Sequence, residues 1–125
     1  MNGKIEINIG GARRALWFNN YAKATLGAIY GLDPLEAGEK MMAIMSDNYM
    51  KAIADLVFAG LEGYYNAEDI QKDYTKKDVL RWCADSEESD MVLVFNTWLD
   101  FSKIRDIIKT EPSDKPEKKR RGKTS

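Results

Sequence analysis

The chain of 125 residues contains no histidine and a single cysteine, Cys83. Histidine is the most common general base and the most common metal ligand in proteins, so its absence removes both. One cysteine can form neither an intramolecular disulfide bond nor a cysteine metal cage. A cysteine nucleophile would also need a neighbouring base, and we therefore interpret Cys83 as a half-buried helix residue. The sequence predicts no enzyme, no cofactor or metal site and no small-molecule substrate.

Long hydrophobic runs are missing as well. No run reaches the roughly 18 to 20 apolar residues that a membrane-spanning helix requires. The N-terminal segment lacks the basic stretch, apolar stretch and small-residue cleavage site of a secretion signal. The hydrophobic share of 44% and the charged share of 31% are those of an ordinary globular domain. We therefore expect a soluble cytoplasmic protein without a membrane partner.

The net charge of −1 conceals an uneven distribution. Residues 110–125 hold six basic and three acidic residues, a formal charge of +3, so residues 1–109 carry −4. The tail also has two prolines and no large apolar residue, which predicts disorder. Its basic run Lys118-Lys119-Arg120-Arg121 could bind nucleic acid through phosphate contacts, but it has no interleaved aromatic residues. We expect one folded domain over residues 1–109 and a disordered charged tail over residues 110–125.

The first residues predict a β-hairpin. Ile5, Ile7 and Ile9 alternate with polar residues, which places them on one face of a strand. Gly10-Gly11 supplies the positive φ angles of a tight turn. On the return strand we expect Leu16 and Phe18 inside and Trp17 nearer the edge. Two strands alone are marginal in water, so this apolar face must pack on helices or on another chain.

The rest of the chain predicts helices. The expected elements are a helix capped by Asn19 or Asn20 and ended by Gly31, a helix from Pro34 to about Met45, a helix from Tyr49 to Tyr64 after a cap in residues 46–48, a short helix from Asn66, a helix begun by a capping box at Thr75 and Asp78, and a long helix over Met91–Lys109. Gly60 lies on the apolar stripe of the third helix, where a second backbone could approach closely. We predict an α+β fold in which an N-terminal two-stranded β-hairpin packs on a bundle of four to five helices.

Candidate contact residues come from residue type. Four methionines are clustered at Met41, Met42, Met45 and Met50, and the flexible thioether adapts to irregular apolar partners. Core filling explains most clusters of this kind, and binding to helices of another protein is the alternative. If the methionines and nearby aromatic residues are exposed together, they form a surface of the kind that binds proteins. The predicted partner-binding residues are Trp17, Met41, Met42, Met45, Trp98 and Phe101.

The order of features in residues 4–35 resembles the tail assembly chaperones of long-tailed, siphovirus-type bacteriophages and prophages. The features are a short strand ending in Ile9-Gly10-Gly11, the basic and apolar return strand Arg13 to Phe18, the helix Tyr21 to Tyr30 and the segment Gly31-Leu32-Asp33-Pro34. The likeness covers about the first third of the chain. The resemblance assigns no binding or catalytic residues to this chain, because its motifs are patterns of residue type.

The resemblance implies a non-enzymatic protein of the bacterial host cytoplasm. Such a chaperone coats the long, helical tape measure protein by reversible hydrophobic contacts before the tail tube polymerises around it, and tail tube components are further partners. We also expect an oligomer. Two alternatives stay open, a small nucleic-acid-associated protein that uses its basic tail and a structural subunit of the virion tail.

Overall fold

Two strands and five helices succeed one another in the computed structural model, which describes residues 3–102. The elements are β1 (Lys4–Ile9), β2 (Ala12–Trp17), α1 (Asn20–Tyr30), α2 (Pro34–Met45), α3 (Tyr49–Ala67), α4 (Lys76–Ala84) and α5 (Glu88–Ser102). The predicted α+β architecture is therefore confirmed. The predictions for residues 110–125, and for a last helix that reaches Lys109, fall outside the described residues.

The hairpin forms where the sequence predicts it. β1 and β2 are antiparallel, with Ile5 opposite Leu16. Gly10 and Gly11 have φ angles of +62° and +75°, the left-handed values that a two-residue hairpin turn of type I′ requires. Trp17 is half-buried. The hairpin face that packs on the core carries the buried side chains of Ile5, Ile7, Ile9 and Leu16. Phe18, which follows β2, is buried as well.

Helix α3 is the centre of the fold. Eleven of its 19 residues are buried, and it contacts β2 and all four other helices. The sequence predicts a close backbone approach at Gly60, but a Cβ atom there would lie 2.9 Å from the Cβ of Leu16, a side-chain contact. The backbone approach occurs one turn later, at Gly63, which lies against the carbonyl oxygen of Trp17. The strand therefore crosses α3 at a pair of glycines.

Local capping explains where helices α1 to α4 begin. Side-chain oxygens at four cap positions accept backbone N–H bonds of 3.0–3.2 Å from residues three positions later, and the cap residues are Asn19, Asp33, Asn48 and Thr75. Asp78 returns the bond to the backbone of Thr75, which completes the predicted capping box. These caps confirm the predicted starts of α1 to α4.

Two predicted boundaries are wrong. No separate helix begins at Asn66, because α3 continues through Ala67 and residues 70–75 have no regular structure. Helix α5 begins at Glu88 and not at Met91. The carboxylates of Glu88 and Asp90 lie in its first turn, where they interact favourably with the positive end of the helix dipole. Within residues 3–102, no helix is both long and apolar enough to cross a membrane.

Candidate protein-binding surface

Two of the six predicted contact residues lie in the core. Met41 is completely buried and Trp98 is 3% exposed, which corrects the expectation that they lie on the surface. Met42 and Met45 are half-buried against the same core. The reason is that α2 packs against both α1 and α3, so Met41, one turn after the buried Ala37, faces inward. A partner could reach Met41 or Trp98 only if the fold opened.

Trp17 and Phe101 both have neighbours at the open end of the hairpin, Lys4 and Gly3 respectively. The Nζ atom of Lys4 lies 4.3 Å from the ring centroid of Trp17, a cation–π contact. The ring of Phe101 packs on the neighbouring Gly3, 3.3 Å from where a Cβ atom would stand. Both aromatic side chains are half-buried. Of the predicted residues, Trp17 and Phe101 are thus partly accessible at this end of the hairpin.

Helix α5 presents apolar side chains that the sequence pattern did not single out. Eight of its 15 residues are apolar, yet its buried ones are Met91, Val94 and Trp98. Val92 is 45% exposed, and Phe95 and Leu99 are half-buried. These three stand at positions i, i+3 and i+7 and so share one face of the helix, which we name the α5 strip. A helix that is apolar on most sides is normally covered on most sides, so the α5 strip is a candidate contact surface.

The sequence does not indicate the α5 strip, because Met91 to Phe95 are five apolar residues in a row. A continuous run contains no helical phase, so it does not indicate which residues face the core. Leu93 belongs to the same apolar run as the buried Val94, yet it is 42% exposed. Leu93 follows Val92 directly and is as exposed, but it is rotated by about 100° around the helix axis.

A second surface feature lies between α3 and α4. It is a groove of about 530 Å³, lined among others by Asp55 of α3. We name it the lysine groove after its three cations, Lys51, Lys76 and Lys77, and its apolar lining residues are Met50, Ala54 and Leu80. Leu80 is 44% exposed, although it is a large apolar residue. The groove therefore combines apolar side chains with positive charge.

The buried carboxylate of Asp55 organises this groove. Its side chain is 1% exposed and accepts three hydrogen bonds, from Lys51 Nζ at 2.7 Å, from Lys76 Nζ at 2.5 Å and from the Tyr30 hydroxyl at 2.7 Å. Burial alone would raise the pKa of Asp55, but the hydrogen bonds from Lys51, Lys76 and Tyr30 outweigh it and lower the pKa below its ordinary value. Asp55 is therefore ionised at neutral pH and fixes two ammonium groups at the edge of the groove.

The thiol of Cys83 lies in the core and not at either surface feature. Cys83 is 1% exposed, and burial raises the pKa of its thiol to about 12. At neutral pH the group is therefore a protonated thiol and not a nucleophilic thiolate. Across residues 3–102, no three or more acidic or cysteine side chains are arranged so that they could hold a metal ion.

Comparisons with known proteins identify no relative of this chain at a significant level. No family model matches the chain, and neither a curated protein nor a solved structure matches it at a significant level. The function must therefore be inferred from the residues and the geometry of this chain.

Proposed function

We propose that the protein is a tail assembly chaperone of a bacteriophage or prophage. It binds the tape measure protein by reversible hydrophobic contacts in the host cytoplasm and keeps it soluble while the tail is assembled. The order of features in residues 4–35 supports the family. The observation that carries the binding function is the α5 strip, which leaves Val92 nearly half exposed on a helix that is otherwise rich in apolar residues.

The geometry of the α5 strip suits a helical partner. Apolar side chains at i, i+3 and i+7 form a ridge along one helix, and such a ridge packs into the groove between side chains of another helix. The strip is short, with Val92, Phe95 and Leu99 as its members. Complete burial of each would add at most about 1–2 kcal/mol, because two of the three are already half-buried. Contacts of this size favour an association that can be reversed when the tail tube forms.

The charge distribution is compatible with this role. Residues 1–109 carry a formal charge of −4. Net charge keeps a protein with exposed apolar side chains dispersed in solution. A chaperone needs both properties, apolar surface for its client and charge for the solubility of the complex. Self-association and contacts with tail tube components belong to the same proposal.

The test is co-expression with the long, helix-rich protein encoded beside this gene. We expect that protein to stay soluble and to co-purify with the chain at moderate salt. Failure to co-purify, while the chain itself is folded by circular dichroism, would contradict the proposal. Finished particles give a second readout, because an assembly chaperone should be missing from purified virions, whereas a structural tail subunit should be present in them.

A further inference from the structure

We propose that the lysine groove binds an acidic amphipathic helix of the partner protein, with an apolar side chain of that helix on Leu80 and its carboxylates on Lys51, Lys76 and Lys77. The identity of the partner rests on the proposed function. The chemistry of the segment that binds does not, since it is set by the groove itself.

The apolar part of the groove selects a partner with an apolar ridge. Leu80 is 44% exposed and stands in the groove with Met50, which is half-buried, and Ala54, which is 6% exposed. Helix α4, which forms one wall, has nine residues. At 1.5 Å per residue this wall is about 13 Å long, which matches two to three turns of a docked helix.

The charged edge of the groove selects carboxylates. Asp55 contributes one negative charge against the three positive charges of Lys51, Lys76 and Lys77, so the groove has a local surplus of two positive charges. An ammonium group has three N–H donors, and the side chains of Lys51 and Lys76 are 47% and 48% exposed. Their remaining donors can therefore reach a ligand in the groove.

The nearby acidic residue Asp78 does not cancel this surplus directly. Its carboxylate accepts the backbone N–H of Thr75 at 3.0 Å and the guanidinium of Arg81 at 3.3 Å. It is therefore occupied by the N-terminal cap of α4 and by a cation on the next turn. The surplus positive charge of the groove stays available for a partner.

The lysines are also held in place before binding. The two oxygens of Asp55 fix Lys51 and Lys76, whereas a solvent-exposed lysine normally samples many rotamers. Side chains that are already ordered lose less conformational entropy when a partner binds. A buried carboxylate that orders two cations thus lowers the cost of recognising acidic groups on a partner.

The experiment uses three synthetic helical peptides with the same leucine ridge and with flanking positions occupied by Glu, Gln or Lys. Binding to the full chain is measured by fluorescence anisotropy at two salt concentrations. We expect the Glu peptide to bind about tenfold more tightly than the Gln peptide at low salt, with the difference reduced at high salt, and the Lys peptide to bind most weakly.

The matched variants differ in location and not in chemistry. Lys77→Glu with Leu80→Ser changes the groove without touching the partners of Asp55. Lys40→Glu with Leu35→Ser makes the same changes on exposed positions of α2. We expect the groove variant to lose binding of the Glu peptide and the α2 variant to keep it, with circular dichroism confirming that both are folded.

Any of the following results would overturn the proposal. The first is no measurable binding of the Glu peptide, and the second is equal binding of the Glu and Gln peptides or equal binding by both variants. The third is self-association of the wild-type chain that only the groove variant abolishes, which would make a second copy the occupant. Because the peptides do not depend on the neighbouring gene product, the groove can fail while co-expression succeeds, and the reverse.

Discussion

Gly63 of α3 lies directly against the carbonyl oxygen of Trp17 in β2, so that a Cβ atom at this glycine would overlap it. The same junction contains Asn19, whose Nδ2 donates to the Gly63 carbonyl at 3.1 Å while its Oδ1 caps α1. One side chain thus links the start of α1 to the C-terminal part of α3. The hairpin, α1 and α3 are joined here by contacts that all involve the backbone, and such contacts tolerate little change.

Gly63→Ala should destabilise the protein. The overlap with the Trp17 carbonyl outweighs the gain of about 1 kcal/mol that alanine brings in helix propensity, and we expect the free energy of unfolding to fall by about 2–3 kcal/mol. Urea denaturation followed by circular dichroism measures this change. Asn66→Ala on an exposed position of the same helix is the control and should change stability by less than about 0.5 kcal/mol. Equal stability of the two variants would contradict the close approach.

Asp55→Asn should remove the two ion pairs that hold Lys51 and Lys76 at the edge of the lysine groove. We expect a loss of about 2–3 kcal/mol at pH 7, because the buried acceptor of two ammonium groups is neutralised. The fold lowers the pKa of Asp55 below its ordinary value of 3.8, so its stabilising effect is present above that value and is lost as the pH falls through the folded-state pKa.

The pH dependence of the stability difference tests whether the effect comes from the ionised carboxylate of Asp55. The stability difference between wild type and Asp55→Asn should be constant above about pH 5 and shrink as the pH falls below about 4. Asp47→Asn, at an exposed aspartate, should change stability at pH 7 by less than about 0.5 kcal/mol. A difference that grows as the pH falls would rule out an ionised Asp55 as its source.

Met41→Ala separates the core from the surface in the methionine cluster. Met41 is completely buried, so its truncation should cost about 2–4 kcal/mol in the free energy of unfolding. Met45→Ala, at a half-buried position of the same helix, should cost less than half as much. Thermal denaturation of both variants checks the order. Loss of partner binding in a Met41→Ala protein of unchanged stability would restore Met41 as a contact residue.

Val92→Glu and Leu93→Glu test the α5 strip. Both residues are exposed to similar extents, 45% and 42%, and they are neighbours in the chain on different faces of α5. If the strip binds the tape measure protein, Val92→Glu should reduce co-purification at least about tenfold, since a charge cannot be buried there without a partner. Leu93→Glu should leave it nearly unchanged. The same loss in both variants would indicate that the partner does not bind α5 through this face.

The helices could be predicted from the sequence because their signals are local. Asn19, Asp33, Asn48 and Thr75 each cap a helix through a residue three positions away, and Gly10-Gly11 defines the hairpin turn without help from the rest of the chain. Such signals do not depend on how the elements pack against one another.

The binding surface could not be predicted in the same way. Residue type favours Met41 and Trp98 as contact residues, but burial depends on which face of a helix packs, and that is set by distant elements. The lysine groove depends on Asp55 and Lys76, which lie 21 positions apart and meet only when α4 packs on α3. One signal was available, since Asp55 is a charged residue within an otherwise apolar segment of α3.

The two ends of the hairpin depend on residues that are synthesised much later. At its turn, Gly10 packs on the ring of Trp82, and at its open end Gly3 packs on Phe101. A two-stranded sheet is not stable by itself, so the hairpin must wait for α4 and α5 before its packing is complete. Completion of the fold therefore depends on contacts of high sequence separation, and translation of nearly the whole described chain must precede it.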